Sequence, residues 1–588
     1  MKQFFLTVLG VFVGLMLFVV GLPILIISLI AGQVDTKTGA QPSDIVLNLD
    51  LRGGIPDQQP QGLVERFGGG GPSAVGIVTA LAAAEMDPHV KALYVRAPEG
   101  RLAPATAEEI HTALASFKAH GKPVIVHSQG IYSPVDYMAI SGASQIWMQA
   151  TGDFVATGMS METPFFKDLL DHYDAKVEMM HFYEYKNVAA PLLERTYTAA
   201  HREAETSLLQ SIFDTSLALA AKDRKLTPEA LRATLVKGPM SPADAMAAKL
   251  IDRLGYDTAA SDAALALGGK DAELVDLNDY HKAGALFEGS GPAIALIEGE
   301  GEIDTGHEDG PSFQRKAKIL GDDMASAIRD AADNDDVKAI VLRVNSPGGS
   351  PIASDQIWAA VEYAKAQDKP VVVSMGPYAA SGGYYLSTGA TAIVANATTI
   401  TGSIGVVGGK IALHDTLARF GVNVEGITVG GEFTNAEGSR PYTDSQRKAM
   451  LGILTRIYAD FTAKVAAGRN LPIDTVKDIA KGRVWSGQMA QERKLVDKIG
   501  GLRDAIELAQ KLGGLEGKKH VRLLRAEPEN NPLAELTALL HSNISMGYKL
   551  HVLSSLLADP RFDALTRATE SQQLSETVRA EITPATVH

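Results

Sequence analysis

The sequence predicts an α/β protein in which one domain occurs twice in tandem behind a single N-terminal transmembrane helix. Three observations carry this expectation. Two long stretches repeat at a constant offset of 247 positions, so that Val90 corresponds to Val337. Within each stretch, short apolar runs alternate with longer amphipathic ones, the pattern of a largely parallel sheet with helical crossovers. Finally, Phe4–Ile30 contains no charged residue.

That apolar run comes first in the chain. At ~1.5 Å per residue its roughly 27 residues give ~40 Å of helix, enough to cross a ~30 Å hydrocarbon core with tilt. A cleaved export signal would have a shorter apolar region ending in small residues, whereas Leu29-Ile30-Ala31 sets a bulky leucine at the −3 place. The segment therefore reads as an uncleaved anchor within residues 1–35. Lys2 precedes it and Asp35 is the first charge after it, which keeps the N-terminus cytoplasmic and exports the remainder.

The duplication organises the rest of the chain. An N-terminal copy spans 44–270 and a C-terminal copy 293–512. Val90-Lys91-Ala92 and Arg96 correspond to Val337-Lys338-Ala339 and Arg343, and Lys122-Pro123-Val124 to Lys369-Pro370-Val371. Tyr137, Gly142, Ala143 and Gly158 correspond to Tyr384, Gly389, Ala390 and Gly405. After a small shift, Lys237-Gly238 and Lys249-Leu250-Ile251-Asp252 echo Lys481-Gly482 and Lys494-Leu495-Val496-Asp497. Ala339–Val344 and Pro370–Ser374 are too short for helices and read as strands, while Asp322–Ala332 and Ser354–Ala366 read as helices. Residues 271–292, rich in Gly and ending in Pro292, read as the connection. Residues 513–588 read as a peripheral tail with apolar stretches at Leu536–Leu540 and Leu550–Leu557.

Composition removes several function classes. With 588 residues, 69 Asp and Glu stand against 55 Lys and Arg, a formal charge of −14 that argues against nucleic acid as a partner. The absence of cysteine excludes disulfides, thiolate metal sites and a cysteine nucleophile. The 14 histidines form no pattern with metal-ligand spacing, so no metal and no cofactor is expected.

The chemistry concentrates in the C-terminal copy. Asn345-Ser346-Pro347-Gly348-Gly349-Ser350 directly follows a strand, where paired glycines let backbone amides approach a ligand, although an ordinary turn has the same composition. Ala379-Ala380-Ser381-Gly382-Gly383-Tyr384-Tyr385 surrounds a hydroxyl with the smallest side chains at a helix start. Ser381 there is either a helix cap or a nucleophile. In the second case the Gly382 amide and the positive helix end face the developing oxyanion. A serine nucleophile needs a proton acceptor, a histidine or a lysine kept neutral. His414-Asp415 is the best local histidine, but adjacent residues form a linear relay poorly.

Together the anchor, the duplication, Asn345–Gly349, Ala380–Tyr384 and Thr401-Gly402-Ser403-Ile404-Gly405 resemble the S49 serine peptidases, specifically the long form of signal peptide peptidase A. The resemblance covers nearly the whole chain. It implies a Clp protease and crotonase-like fold in each copy, Ser381 as nucleophile, Gly349 and Gly382 as oxyanion-hole amides, and Ser403 as the residue that orients the base. In that family the base is a lysine of the first copy in a Tyr-Lys context ahead of a proline. Tyr185-Lys186 before Pro191 fits, which makes Lys186 the match. The copies are complementary in this respect. The first has Pro134 and Ala156 where the second has Ser381 and Ser403, while the second has no lysine in Gly430–Asn435, the counterpart of the Lys186 segment.

The resemblance further implies a membrane-anchored endopeptidase that degrades cleaved signal-peptide remnants. It would sit in the bacterial inner membrane as a single-pass protein with its catalytic part periplasmic. Its expected partners are peptide substrates, membrane lipid around the N-terminal helix, and further copies of itself in a homotetramer. A crotonase-like acyl-CoA enzyme and a catalytically silent membrane scaffold are the alternatives.

Overall fold

The structure, a computed structural model, describes residues 42–58, 71–100, 102–280, 282, 284–307, 317–518 and 521–525. The expected anchor, Phe4–Ile30, and the apolar stretches of the tail at 536–540 and 550–557 lie outside the described residues. Among those described, no helix is long and apolar enough to cross a membrane.

The first copy builds its sheet from β1 (Ile45–Asp50), β2 (Val90–Arg96), β3 (Val124–Ser128) and β4 (Gln145–Met148). It leaves the sheet for β5 (Lys176–His181) and returns with β6 (Arg253–Leu254) and β7 (Glu273–Asp276). Their order is β6-β4-β3-β2-β1-β7, with every neighbour parallel. The second copy contributes β8 (Ala293–Glu300), the short pair β9 (Glu302–Asp304) and β10 (Lys318–Leu320), then β11 (Val337–Ser346), β12 (Val371–Ala380) and β13 (Ala392–Ala395). There follow β14 (Ile400–Gly402), β15 (Val407–Ala412), β16 (Val484–Ser486), β17 (Lys498–Ile499) and β18 (Arg522–Arg525). Its parallel core, β17-β13-β12-β11-β8-β18, repeats the order of the first sheet strand for strand. β7 lies within 271–292 and β18 beyond 512, because each sheet draws one more edge strand from the segment that follows its last helix.

The repeat extends to side chains. Tyr137 donates to the Leu250 carbonyl as Tyr384 does to that of Leu495, at 2.8 and 2.9 Å. Arg224 pairs with Asp252 as Arg469 pairs with Asp497. These matched residues recur because they clamp the same turn in both copies.

Three features join the copies. Helix α1 (Pro104–Ala119) carries Glu108 and Glu109 into the second copy. Helix Ala74–Met86 places Val75 and Val78 in one apolar cluster with Ile294, Val341 and Val372 of the second sheet. Finally, β5 pairs antiparallel with β15, from Lys176 against Ala412 to His181 against Val407, in a two-stranded ribbon shared by both copies.

Candidate active site

The carboxyl ends of parallel strands are where open α/β sheets collect ligands, since successive loops there converge. Three such ends of the second sheet meet. β11 leads into Gly348-Gly349, β12 into Ser381, and β14 into Ser403. The C-terminal part of β12 pairs with β14, Tyr378 with Ile400 through Ala380 with Gly402, so Ser381 and Ser403 leave adjacent strands side by side.

Ser381 precedes helix α2 (Gly382–Ser387) with φ +53° and ψ −116°. A non-glycine residue in such a conformation is strained by about 1–3 kcal/mol and persists only when its surroundings hold it. They do so here. The Ser381 amide donates to the Gly402 carbonyl at 2.9 Å, and the Ser381 carbonyl accepts from Tyr385 at 2.9 Å. The side chain makes no capping hydrogen bond, so it is free to face elsewhere. Ser403 also has positive φ, +50°, after Gly402 at +76°.

Lys186 arrives from the other copy. After β5 pairs with β15, the Phe182 amide continues the ribbon to the Val406 carbonyl, and the chain turns at Tyr183 with φ +68°. Lys186, only 5 % exposed, then points its amine at the two serines. Nζ donates to Ser381 Oγ at 3.0 Å, to Ser403 Oγ at 2.9 Å and to the Ser403 carbonyl at 3.1 Å. Burial away from water penalises the ammonium and lowers its pKa from 10.5 to about 8.

Gly349 and Gly382 face each other. A β-carbon added to Gly382 would lie 3.2 Å from the Gly349 amide nitrogen and 2.6 Å from Ser354 Oγ. Gly382 is the first residue of α2, so its amide has no acceptor within the helix. Gly349, at φ +152°, lies against β9, where a β-carbon would fall 2.1 Å from the Ile303 carbonyl oxygen. Ile303 secures this loop by donating to the Gly348 carbonyl and accepting from the Ser350 amide, at 2.9 and 2.8 Å. Nothing in the Ile303 side chain announces that role, and the contact is made by its backbone.

Five residues from four separate segments thus meet, two of them, Ser381 and Ser403, directly on the Lys186 amine. His414 is placed elsewhere. It begins the helix His414–Arg419 beyond β15, and its ring pairs with Asp415 at 3.0 Å.

Known proteins resemble this chain in sequence. The family model described as peptidase family S49 matches residues 116–269 and 363–516, one segment in each copy. A Protease 4 of Haemophilus influenzae is 30 % identical over 530 residues, covering 85 % of this chain and 83 % of its own length. A Protease 4 of Salmonella typhi is 32 % identical over 431 residues, covering 71 % and 68 % respectively. A protein named serine protease SPPA, chloroplastic, of Arabidopsis thaliana is 27 % identical, covering 85 % and 74 %.

Proposed function

Since this chain belongs to peptidase family S49 and is a serine peptidase acting on peptides, we propose that Ser381 is its nucleophile and Lys186 its general base. The observation that carries this reading is the 3.0 Å separation of the Lys186 amine from Ser381 Oγ, made by a buried lysine with lowered pKa.

In this reading, neutral Lys186 takes the hydroxyl proton while Ser381 Oγ attacks the peptide carbonyl. The Gly349 and Gly382 amides receive the negative charge that develops on the carbonyl oxygen, aided by the start of α2. Lys186 then returns the proton to the leaving amine, and water hydrolyses the acyl-enzyme. Ser403 holds the ammonium through its hydroxyl and carbonyl, which keeps the amine aimed at Ser381. With a pKa of about 8, about a tenth of the molecules carry the neutral amine at pH 7, so activity rises with pH through about 8.

The wider reading rests on the sequence. The charge-free Phe4–Ile30 supports a single-pass anchor, and by the resemblance we take it to lie in the bacterial inner membrane with the catalytic part periplasmic. The substrates would be signal-peptide remnants, and the assembly a homotetramer with lipid around the anchor. We take 44–270 and 293–512 as the two copies, supported by the repeated parallel strand order, and a Clp protease and crotonase-like fold for each, which rests on the resemblance of the sequence alone. A lysine directed at Ser381 favours an active peptidase over a silent scaffold.

The test compares phosphonylation by a fluorophosphonate, with fluoride as leaving group, in the parent, Ser381→Ala and Lys186→Arg. Arginine keeps charge and length but stays protonated. Both variants should fold and fail to label or cleave peptide. Turnover by Lys186→Arg at any pH would move the base elsewhere, with His414 the first residue to examine.

A further inference from the structure

The duplication supplies an internal control for two glycines. Gly405 and Gly158 occupy the same position in the two copies, as do Gly482 and Gly238. In the first copy both are open, and a β-carbon on Gly158 or Gly238 would meet nothing within 4 Å. In the second copy both are closed. A β-carbon on Gly482 would fall 2.5 Å from Lys186 Cβ, 2.7 Å from its Cα and 2.7 Å from its backbone nitrogen. One on Gly405 would fall 2.7 Å from Gly482 Cα and 3.3 Å from Lys186 Cδ. The same small residues that lie against empty space in one copy lie against the lysine stem in the other.

We propose that Gly405 and Gly482 are positioning residues for Lys186, forming a slot that seats its stem, excludes water from it and sets the reach of its amine to Ser381. The proposal rests on the reading of Lys186 as general base. The slot is strapped to both sides of the site. The Tyr185 amide donates to the Lys481 carbonyl at 3.3 Å, the Gly482 amide to the Ile404 carbonyl at 2.9 Å, and the Ser403 amide to the Arg483 carbonyl at 2.7 Å. The segment Lys481–Arg483 therefore links the backbone of the base to that of Ser403. No side chain larger than hydrogen fits between them.

Charged neighbours of the slot are already paired. On the segment of Lys186 itself, Glu184 faces Lys481 at 3.8 Å, and the Tyr185 ring lies under the Arg483 guanidinium. Arg483, on the strap, pairs with Glu203 at 2.7 Å. From helix Asp444–Arg469, Tyr458 packs on Tyr183. The Lys186 amine itself meets the hydroxyls of Ser381 and Ser403 and the Ser403 carbonyl. Exclusion of water by the slot is accordingly what holds the amine near neutrality, and burial is the cause of its lowered pKa.

The experiment uses the full-length chain with Gly405→Ala and its internal control Gly158→Ala. Neither glycine has a left-handed backbone, so alanine is tolerated by conformation at both. Phosphonylation of Ser381 by a fluorophosphonate is followed against pH. Competitive acetylation of the Lys186 amine, read by mass spectrometry, reports its ionisation independently of activity. Gly158→Ala should stay within about 2-fold of the parent, as an open surface substitution does. Gly405→Ala should be phosphonylated about 10²-fold more slowly at pH 8, the cost of a displaced catalytic group. Its acid limb and its acetylation midpoint should both move from about 8 towards 10.5.

An unchanged midpoint in Gly405→Ala overturns the proposal, as does an equal loss in Gly158→Ala. Loss of a cooperative melt in Gly405→Ala also overturns it, since the slot would then serve folding and not the base. Phosphonylation of Lys186→Arg would instead remove the underlying reading. A silent Lys186→Arg beside a normal Gly405→Ala would remove the slot alone.

Discussion

Lys186 places an ionisable amine where water does not reach, and the fold bears the energetic consequence. Its pKa falls from 10.5 in an unfolded chain to about 8 in the native site. Below pH 8 both states hold the proton and the native state carries the full penalty of about 3 kcal/mol. Between pH 8 and 10.5 the native state sheds the proton while the unfolded state keeps it, so stability rises with pH across that window. Replacing the amine with an apolar chain of similar length should remove the penalty. Lys186→Met is expected to be inactive yet more stable at pH 7, by up to about 3 kcal/mol, with the gain fading towards pH 10.5. Denaturant midpoints at pH 7 and pH 10 measure this. A destabilised Lys186→Met at pH 7 would mean that the hydrogen bonds to Ser381 and Ser403 outweigh desolvation.

At the scale of elements, the ribbon of β5 and β15 carries Lys186 between copies. Its pairing depends on a close backbone approach at Gly409, which has φ +142° and lies opposite Met179. A β-carbon there would fall 2.1 Å from the Glu178 carbonyl oxygen. Gly409→Ala must therefore open the ribbon, while Ser381 and Gly382 follow β12, which belongs to a separate sheet. The variant should acylate about 10²-fold more slowly, because the base is misplaced although the nucleophile is intact. Hydrogen exchange should quicken at amides of 176–181 and stay slow in β12. Equal loosening of both segments would show that the ribbon and the catalytic sheet unfold as one unit.

Across the whole molecule, a buried ionic cluster binds one copy to the other. Arg343, wholly buried, donates to Asp57, to Glu109 Oε1 at 2.7 Å and to Ser374 at 3.0 Å, and Asn396 also donates to Glu109. Burial pushes the Glu109 carboxyl up while Arg343 draws it back. Truncating the cation strands two carboxylates in the interior. Arg343→Ala is expected to cost about 3–5 kcal/mol in a urea titration at pH 7. The loss should shrink as the pH falls, since the stranded Glu109 carboxyl, which burial pushes up, neutralises by taking up a proton. Arg343→Met combined with Asp57→Asn and Glu109→Gln should recover most of the loss. A loss independent of pH would assign the effect to packing.

Much of this protein is determined locally and can be read from its sequence. The two copies, their strand and helix alternation, and the glycine-rich turns around Gly349 and Ser381 follow from periodicity and from the backbone freedom of glycine. Lys186 is different. Nothing adjacent to it distinguishes it from a surface lysine, and only resemblance to a family singles it out. Gly405 and Gly482 are visible as repeats of Gly158 and Gly238, but repetition cannot tell an open glycine from one pressed against a lysine. Arg343 likewise repeats Arg96, yet Arg96 pairs with Asp257 near the surface of its own copy while Arg343 is sealed between copies. Those distinctions belong to the tertiary structure. They arise where segments far apart in the chain are pressed together without water, and desolvation depends on what surrounds a group in space and not on its neighbours in sequence.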